Sequence, residues 1–373
     1  MPRRLKLLLI FGTRPEAIKM CPLALELLRR PQFETKVMLT GQHRELADSV
    51  MSAFGVKADY DLRLMKPGQT LQSLTAAILE AEKPVFEQFA PDFALVHGDT
   101  LTAFASALSA FYAQTKVCHV EAGLRTFDKW APYPEEMNRV LITRLADLHF
   151  APTKGNERNL RNEGIINGVY VTGNTGLDAF RYTIKPDYEF TSPELRAIDF
   201  ESFRTVVMTA HRRENIGAGL ENICRAVRRV VAENPDIQVV YPMHPNPTVR
   251  GTVVPMLGDI DRVHLIEPLD VFDMHNLMSR SYMALTDSGG LQEEAPALGL
   301  PVAVLRAETE RPEAVEAGTV VLAGTTDEGV YSLFSKILRD AEFYRSMRRA
   351  INPYGDGHAS ERIADILLGQ EIM

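Results

Sequence analysis

Leu285-Thr286-Asp287-Ser288-Gly289-Gly290-Leu291-Gln292-Glu293-Glu294-Ala295 is the stretch of this sequence that is most informative about its fold. An apolar run ends in Asp-Ser-Gly-Gly and a helical pattern begins at once, which predicts a strand that passes directly into a helix. The glycines let a ligand approach the backbone, and the N–H groups and dipole of the first helical turn attract an anion. The stretch therefore predicts a phosphate-binding turn in an α/β domain.

Two other segments carry the triplet Arg-Pro-Glu, one in residues 12–19 and one in residues 309–313. Any one of these three features alone is more readily interpreted as an ordinary strand-to-helix turn, because short glycine motifs are weak evidence. Together they suggest a diphosphate held between two α/β halves.

Short apolar runs alternate with amphipathic stretches along the chain, which is typical of parallel sheets with crossover helices. We predict two Rossmann-like doubly wound α/β domains facing a central cleft, residues 1–180 and 200–352. A charged linker follows the first domain. A C-terminal helix in residues 353–373 packs back on the first domain. The predicted strands are residues 6–11, 35–40, 93–97, 117–120, 148–151, 169–172, 205–209, 238–241, 263–266, 282–286, 301–305 and 319–322; the predicted helices include 15–29, 102–113, 219–233, 270–279 and 290–298.

The composition restricts the class of protein. The 373 residues suffice for roughly two domains, and 49 acidic against 41 basic residues, with no long basic block, argue against a nucleic-acid partner. Cys21, Cys118 and Cys224 form no Cys-x-x-Cys pair, which favours a reducing compartment. The apolar start is better interpreted as the first strand than as a signal peptide, and no apolar run is long enough to cross a membrane. We therefore expect a cytoplasmic protein without a membrane partner.

Three carboxylates follow predicted strands or lie close to them: Asp99, Glu121 and Glu135. Ligands of open α/β sheets bind at the carboxyl ends of the strands, where these side chains would meet. Acids that share a pocket shift each other's pKa values apart, which provides one acid and one base. The alternatives are that Asp99 caps a helix, that Glu121 is a solvated loop acid, and that Glu135 or Glu136 begins a helix.

His211 begins a His-Arg-Arg-Glu segment after another predicted strand. With Arg212 beside it, it could bind phosphate or protonate a leaving group, although a lone histidine at a strand end is more often structural. A metal site is not predicted. His97, Asp99 and His119 lie near strand ends, but no His-x-x-x-His motif or cysteine cluster accompanies them.

The ordered set of motifs resembles the non-hydrolysing UDP-N-acetylglucosamine 2-epimerases, which have the glycosyltransferase-B-like fold of two Rossmann units. The resemblance covers almost the whole chain, and so many motifs in order are specific to that family. They are residues 11–20, 42–45, 97–100, 119–126, 134–136, 173–175, 211–214, 287–290, 310–314 and 352–357.

The resemblance implies functional roles for particular residues. Those matching the family's catalytic groups are Asp99, Glu121, Glu135 and His211. Glu294 would hold the ribose hydroxyls. The residues matching positions around the UDP-sugar are Arg14, Lys19, Asn174, Arg212, Ser288, Gly289, Gly290, Glu294 and Arg311. Leu101 and Phe127 depart from the family pattern beside the motifs and place local loop geometry in question.

The implied reaction is the reversible C2 epimerisation of UDP-GlcNAc to UDP-ManNAc, for bacterial surface polysaccharide precursors. UDP leaves to give a 2-acetamidoglucal and then adds back. No hydride carrier is required, which agrees with the lack of a Gly-x-Gly-x-x-Gly motif after the first strand. We therefore expect no cofactor and no metal, and the resemblance implies a homodimer.

Several other activities remain open from the sequence. Within the family the substrate could be a modified UDP-sugar of the 2,3-diacetamido uronic acid type. A retaining UDP-sugar glycosyltransferase would share the fold and the ribose glutamate but needs an open acceptor groove. A hydrolysing epimerase would release free sugar, and an inactive UDP-sugar sensor would not retain all the predicted catalytic groups.

The resemblance also implies an allosteric site for a second UDP-GlcNAc. The matching residues are Gln42, His43, Glu136, Arg212 and His244. Glu45 stands where strongly activated members have glutamine, and Gly68 stands where they have arginine. An added carboxylate and a lost guanidinium both disfavour an anionic diphosphate, so we expect weak or altered activation.

Overall fold

The computed structural model describes residues 3–41, 44–66 and 68–370. The chain divides into two compact units. The first unit consists of Met1–Tyr182 together with Tyr354–Met373, and the second consists of Thr183–Pro353. Each unit is an α/β structure with its own parallel sheet.

The first unit contains, in its described part, a seven-stranded sheet in the order β3-β2-β1-β4-β5-β6-β7. Its strands are β1 (Leu5–Phe11), β2 (Phe33–Leu39), β3 (Tyr60–Asp61), β4 (Phe93–His97), β5 (Lys116–Val120), β6 (Leu148–Ala151) and β7 (Val169–Val171). Its helices up to the boundary of the unit are α1 (Arg14–Leu28), α2 (Arg44–Phe54), α3 (Leu71–Phe89), α4 (Leu101–Tyr112), α5 (Glu135–Leu145), α6 (Lys154–Asn162), α7 (Thr175–Asp178) and α8 (Phe180–Thr183).

The second unit contains, in its described part, a six-stranded sheet in the order β10-β9-β8-β11-β12-β13. Its strands are β8 (Arg204–Thr209), β9 (Ile237–Pro242), β10 (Val263–Ile266), β11 (Met283–Thr286), β12 (Val302–Val304) and β13 (Val320–Leu322). Its helices are α9 (Pro193–Arg196), α10 (Ala218–Glu233), α11 (Pro247–Leu257), α12 (Val271–Ser279), α13 (Gly289–Glu294), α14 (Pro312–Glu316), α15 (Asp327–Arg339) and α16 (Ala341–Arg349). The chain then returns to the first unit as α17 (Ala359–Leu368).

The apolar composition of the central strands explains the layered architecture. β1 and β4 are buried along nearly their whole length, and Ile10 lies in register with Met38 on one side and Val96 on the other. Strands buried on both faces are typical of parallel sheets with helices on each side. All pairings in both sheets are parallel, so the strand ends of each unit meet at one edge.

Strand order creates a switch point in each sheet, where the chain reverses its direction of travel across the sheet. In the first unit it lies between β1 and β4, and in the second between β8 and β11. Open α/β sheets bind ligands in the crevice outside such a point. The loops that follow these four strands are therefore the candidate ligand-binding loops.

The predicted strands and the two parallel sheets are confirmed, with strand ends that differ by one or two residues. The two-residue β3 was not predicted, because so short a segment has no readable alternation. The predicted helix over 290–298 is wrong in its second half. There α13 gives way to a 3-10 turn at Ala295–Leu298, and Pro296 lacks the N–H that a continued α-helix requires.

Among the helices of the described residues, none is both long enough and apolar enough to span a bilayer.

Candidate active site

Three predicted site loops of the first unit lie side by side at one edge of its sheet. Gly12 follows β1, Asp99 follows β4 by two residues, and Glu121 follows β5 directly. Because β1, β4 and β5 are parallel neighbours, these loops share the carboxyl edge around the switch point. The structure therefore brings together the residues that the sequence placed at strand ends.

Glu16 ties the loops on the two sides of this switch point together. Its carboxylate is buried and accepts hydrogen bonds from the backbone N–H groups of Gly12 (3.0 Å) and Thr13 (2.8 Å). The other oxygen accepts from Thr100 Oγ1 at 2.6 Å, in the loop after β4. Burial raises the pKa of Glu16, and the hydrogen bonds oppose this. Glu16 thus fixes the position of the loop that carries Asp99.

Glu121 has a strained backbone, and a lysine and a histidine lie beside its carboxylate. Its φ is +64°, in the left-handed region that non-glycine residues rarely adopt. Its carboxylate pairs with the Lys19 ammonium, and His97 Nε2 lies 3.6 Å from the same oxygen. Such strain costs free energy and persists when surrounding contacts hold the residue, as is common at functional sites.

Asp99 pairs with Arg139, a buried side chain of α5. Arg139 also binds Glu136 at 2.9 Å, and the Asn138 amide donates to the Asp99 carbonyl oxygen at 2.9 Å. The helix cap that follows is Thr100, whose Oγ1 accepts from Ala103 N at 3.0 Å. The interpretation of Asp99 as a helix cap is therefore wrong, because Thr100 takes that position and Asp99 pairs with Arg139.

Glu135 and Glu136 are the first two residues of α5, but their environments differ. Glu135 is half-buried. Glu136 is buried and accepts from the backbone N–H groups of Thr126 and Phe127, both at 3.0 Å. Glu136 thereby joins the loop before α5 to Arg139 and, through it, to Asp99.

His119 supports the turn that precedes Asp99. Its ring is fully buried, and Nε2 lies 2.7 Å from the Gly98 carbonyl oxygen, which can only accept. Burial lowers the pKa of His119 to about 3, so the ring is neutral with the proton on Nε2. A neutral donor here holds Gly98 without adding charge to the edge.

The second unit uses another buried carboxylate at its own switch point. Asp287 follows β11, and its Oδ2 accepts from the backbone N–H groups of His211 and Arg212, both at 2.7 Å. The Asn215 amide donates to the same oxygen at 3.0 Å. Asp287 thus holds the loop after β8 against the end of β11.

The His211 ring packs face to face with His244, with centroids 5.0 Å apart and planes 14° from parallel. Burial is the largest cause of the lowered pKa of His211. The charge of Asp287 raises it, while His244 and Arg212 lower it further. The ring is therefore neutral near pH 7, with an acid and a cation competing for its protonation state.

Gly289 and Arg311 come into direct contact, which joins two of the predicted phosphate motifs. A Cβ at Gly289 would lie 2.5 Å from the Arg311 guanidinium carbon, so a larger residue there requires the guanidinium to move. Arg311 Nε donates to Glu293 Oε1 at 2.7 Å, and this pair fixes the guanidinium over the start of α13. Ser288 makes no capping bond to α13 through its side chain within the described residues.

Glu294 lies one turn further along and faces a buried histidine. His275 Nε2 lies 3.8 Å from a Glu294 carboxylate oxygen, and His275 Nδ1 lies 2.8 Å from Thr183 Oγ1. Burial lowers the pKa of His275 to about 3, which keeps this ring neutral. The Glu294 carboxylate therefore has a neutral ring as its neighbour.

The remaining predicted residues are placed as follows. Arg14 is the first residue of α1, and Lys19 lies one turn later and binds Glu121. The Asn174 side chain caps α7 by accepting from Gly176 N at 2.8 Å. Gly290 is half-buried in the first turn of α13. Gln42 and His43, and the side chain of Glu45, lie outside the described residues.

Sequence reasoning missed four residues that organise these edges: Glu16, Arg139, Asp287 and Glu293. The spacing of Thr13 and Glu16 is that of a capping box, which predicts a buried glutamate at the start of α1. Glu136 and Arg139 are three residues apart, which favours an ion pair on one helix face. No local signal marks Asp287, because its partners are more than 70 residues away in sequence.

No group of histidine, cysteine and acidic side chains with the arrangement of a metal site occurs among residues 3–41, 44–66 and 68–370.

Parallel α/β units with charged strand-end loops at a switch point are typical of enzymes that bind nucleotides. The family model described as UDP-N-acetylglucosamine 2-epimerase matches residues 25–368. The UDP-N-acetylglucosamine 2-epimerase of Bacillus subtilis is 51% identical over 367 residues, which cover 98% of this chain and 96% of that protein. The chain therefore belongs to the UDP-N-acetylglucosamine 2-epimerase family and is an enzyme.

Solved structures of similar proteins agree with this family assignment. A UDP-GlcNAc 2-epimerase from Neisseria meningitidis, bound to UDP-GlcNAc, is 45% identical with a TM-score of 0.88, and the match covers 98% of this chain and 100% of that one. The enzyme from Methanocaldococcus jannaschii, in complex with UDP-GlcNAc and UDP, is 32% identical with a TM-score of 0.80 over 98% of this chain and 100% of that one.

Proposed function

We propose that this enzyme interconverts UDP-GlcNAc and UDP-ManNAc by inverting the configuration at C2. A base removes the C2 proton while the C1–O bond to UDP breaks, which gives 2-acetamidoglucal and UDP. A proton returns to the opposite face of C2 as UDP adds back to C1. The observation that carries the proposal is the set of acids, Asp99 beside Arg139 and Glu121 beside Lys19, at neighbouring strand ends.

Asp99, Glu121 and Glu135 remove and return the C2 proton in this proposal. Arg139 holds the Asp99 carboxylate in place, and Lys19 does the same for Glu121. His211 exchanges a proton with the departing or returning UDP. Since proton transfer and C–O cleavage are redox-neutral, the proposal includes no hydride-carrying cofactor.

The second unit would bind most of the nucleotide. The backbone N–H groups of Gly289 and Gly290 and the Ser288 hydroxyl donate hydrogen bonds to the diphosphate, with Arg311 over Gly289 as its charged partner. Glu294 accepts hydrogen bonds from the ribose hydroxyls. The other residues proposed to contact the UDP-sugar are Arg14, Lys19, Asn174 and Arg212.

Turnover in deuterated water tests the elimination mechanism. We expect deuterium at C2 of both UDP-GlcNAc and UDP-ManNAc, because the abstracted proton exchanges with solvent before it returns. An incubation without enzyme controls for spontaneous exchange. Interconversion at full rate with no deuterium at C2 would exclude the elimination. Release of free sugar would indicate a hydrolysing enzyme, and turnover of 2,3-diacetamido uronic acid nucleotides alone would indicate the modified substrate.

A second UDP-GlcNAc would act as a weak activator in this proposal, bound near Gln42, His43, Glu136, Arg212 and His244. Gly68 has φ +77°, a conformation that disfavours an arginine at this position. Glu45, which stands where strongly activated members have glutamine, adds a negative charge that repels the diphosphate of the effector.

The test is the conversion of UDP-ManNAc with and without traces of UDP-GlcNAc. We expect activation to be stronger in Glu45→Gln, by several-fold. A strict requirement for UDP-GlcNAc in the unaltered enzyme would contradict the proposal. The resemblance also favours a homodimer, which sedimentation equilibrium would measure.

A further inference from the structure

The two oxygens of the Asp287 carboxylate have different environments. The residue is fully buried, and Oδ2 accepts the three hydrogen bonds from His211 N, Arg212 N and the Asn215 amide. Oδ1 is buried and makes no hydrogen bond within the described part of the chain. It lies 3.7 Å from His211 Nδ1. One oxygen therefore holds the loop, and the other faces the ring.

The loop geometry holds the backbone of His211 beside this oxygen. Two backbone hydrogen bonds to Asp287 hold His211 and Arg212, and the Tyr241 hydroxyl donates to the Ala210 carbonyl oxygen just before them. The His244 ring covers one face of His211. A buried carboxylate oxygen without a donor costs free energy, and a small rotation of the ring about its bonds would supply the Nδ1–H donor.

A neutral histidine carries its single proton on one of two nitrogens, and the partner of one nitrogen decides what the other can do. A carboxylate can only accept, so Asp287 selects the form with the proton on Nδ1. The charged groups facing the ring in this unit are Asp287, Arg212 and, when protonated, His244. Asp287 is the one that stabilises a second proton on the ring, whereas the other two oppose it.

We propose that Asp287 is a positioning residue for His211: its Oδ1 keeps the ring proton on Nδ1, so that Nε2 is the nitrogen that exchanges a proton with the substrate. The role of His211 in turnover rests on the proposed function, whereas the position of the ring proton does not.

Nitrogen-15 NMR of protein labelled in its histidine rings tests the proposal directly. The chain has nine histidines, and the His211 signals are assigned as those missing from His211→Gln. At a pH where the ring is neutral, we expect Nδ1 of His211 to carry the proton and Nε2 to have the shift of an unprotonated ring nitrogen. A neutral His211 with its proton on Nε2 would overturn the proposal.

Asp287→Asn changes the group that faces the ring while it keeps the side-chain shape. An amide oxygen can replace Oδ2 as the acceptor of the loop N–H groups, and the amide NH2 then faces Nδ1. We expect the His211 proton to move to Nε2, kcat to fall by at least about tenfold, and the Kd for UDP to change less than about threefold. The limb of the kcat pH profile that belongs to His211 should move.

Tyr241→Phe is the matched control, because it removes a buried hydrogen bond to the Ala210 carbonyl oxygen of the same loop but leaves Asp287 and its hydrogen bonds to His211 and Arg212. We expect it to lower stability but to leave the His211 proton on Nδ1 and the pH profile in place. Equal changes in both variants would mean that Asp287 is only structural. If Asp287→Asn does not fold, the nitrogen-15 spectrum of the unaltered protein still shows which nitrogen of His211 carries the proton. If the His211 proton lies on Nδ1 but the enzyme has no epimerase activity, the proposed function is contradicted and the positioning role of Asp287 is not.

Discussion

At the carboxyl edge of each sheet a buried carboxylate holds the loops beside the switch point, but the two edges carry different functional groups. In the first unit Glu16 ties the loops beside the switch point, and in the second unit Asp287 does so. The first edge holds acids, Asp99 and Glu121, that are paired with cations. The second edge holds Arg311, which is paired with Glu293. Each edge therefore concentrates one type of functional group and offsets its charge locally.

This difference shows why the pairing partners matter as much as the predicted site residues. Several unpaired carboxylates at one edge would repel each other. An unpaired guanidinium over α13 would be free to adopt many conformations. The partners hold each group in place, and removal of one partner leaves the other as an uncompensated charge, which lowers stability.

The largest expected effect is on the stability of the first unit. Arg139→Met leaves the Asp99 and Glu136 carboxylates without their buried cation, and we expect the free energy of unfolding to fall by about 3 kcal/mol. Urea denaturation measures this. Arg161→Met is the control, because the Arg161–Glu157 pair is exposed and should contribute little. Equal losses in the two variants would contradict the central position given to Arg139.

The next effect concerns the acids themselves. Glu121→Gln, Asp99→Asn and Glu135→Gln should each lower the rate of UDP-ManNAc formation by about 100-fold or more, as is typical of general acid–base groups, while UDP binds nearly as before. Initial rates and calorimetric UDP binding are the measurements. Glu157→Gln, a carboxylate on α6, should retain activity. A variant of Glu121 with normal turnover would remove it from the proposed mechanism.

The corresponding test on the second edge concerns binding rather than rate. Arg311→Ala should weaken UDP binding by roughly 1.5–3 kcal/mol, because it removes a charge-assisted contact. Gly289→Ala should also weaken it, since the added Cβ overlaps the Arg311 guanidinium. Gly251→Ala is the control, because a Cβ there meets no atom within 4 Å. If UDP bound equally well to Arg311→Ala, the phosphate assignment would be wrong.

The smallest effect depends on pH and should be similar in both units. His119 and His275 have pKa values lowered by burial to about 3, against 6.5 for the unperturbed group. Between these values the unfolded chain binds a proton that the folded chain does not, so stability falls as pH drops from 6.5 toward 3. At pH 5 we expect each to contribute a loss of about 1–2 kcal/mol relative to pH 8.

Urea midpoints measured across this pH range test the prediction. His119→Gln and His275→Gln should each flatten the pH dependence, whatever their effect on stability at pH 8. His358→Gln is the control, because His358 is exposed and pairs with Glu361 at the surface. An unchanged slope in His119→Gln would mean that this ring is protonated in the folded protein.

The sequence by itself determined the class of fold and the location of the strand-end loops. Runs such as residues 6–11 and 93–97 are apolar over their whole length, and hydrophobic periodicity is a local property of the chain. Parallel pairing then requires that the loops after β1, β4 and β5 share an edge. For this reason Asp99, Glu121, His211 and Gly289 could be located without the tertiary structure.

Tertiary structure alone decided which groups face one another. The Asp287 bonds to His211 and Arg212, the contact of Arg311 with Gly289, and the pair of Arg139 with Asp99 join positions 22 to 76 residues apart. These contacts depend on strand order and loop conformation, which periodicity does not specify. Burial likewise sets the neutral state of His119 and His275, because the cost of charging a ring depends on the packing around it.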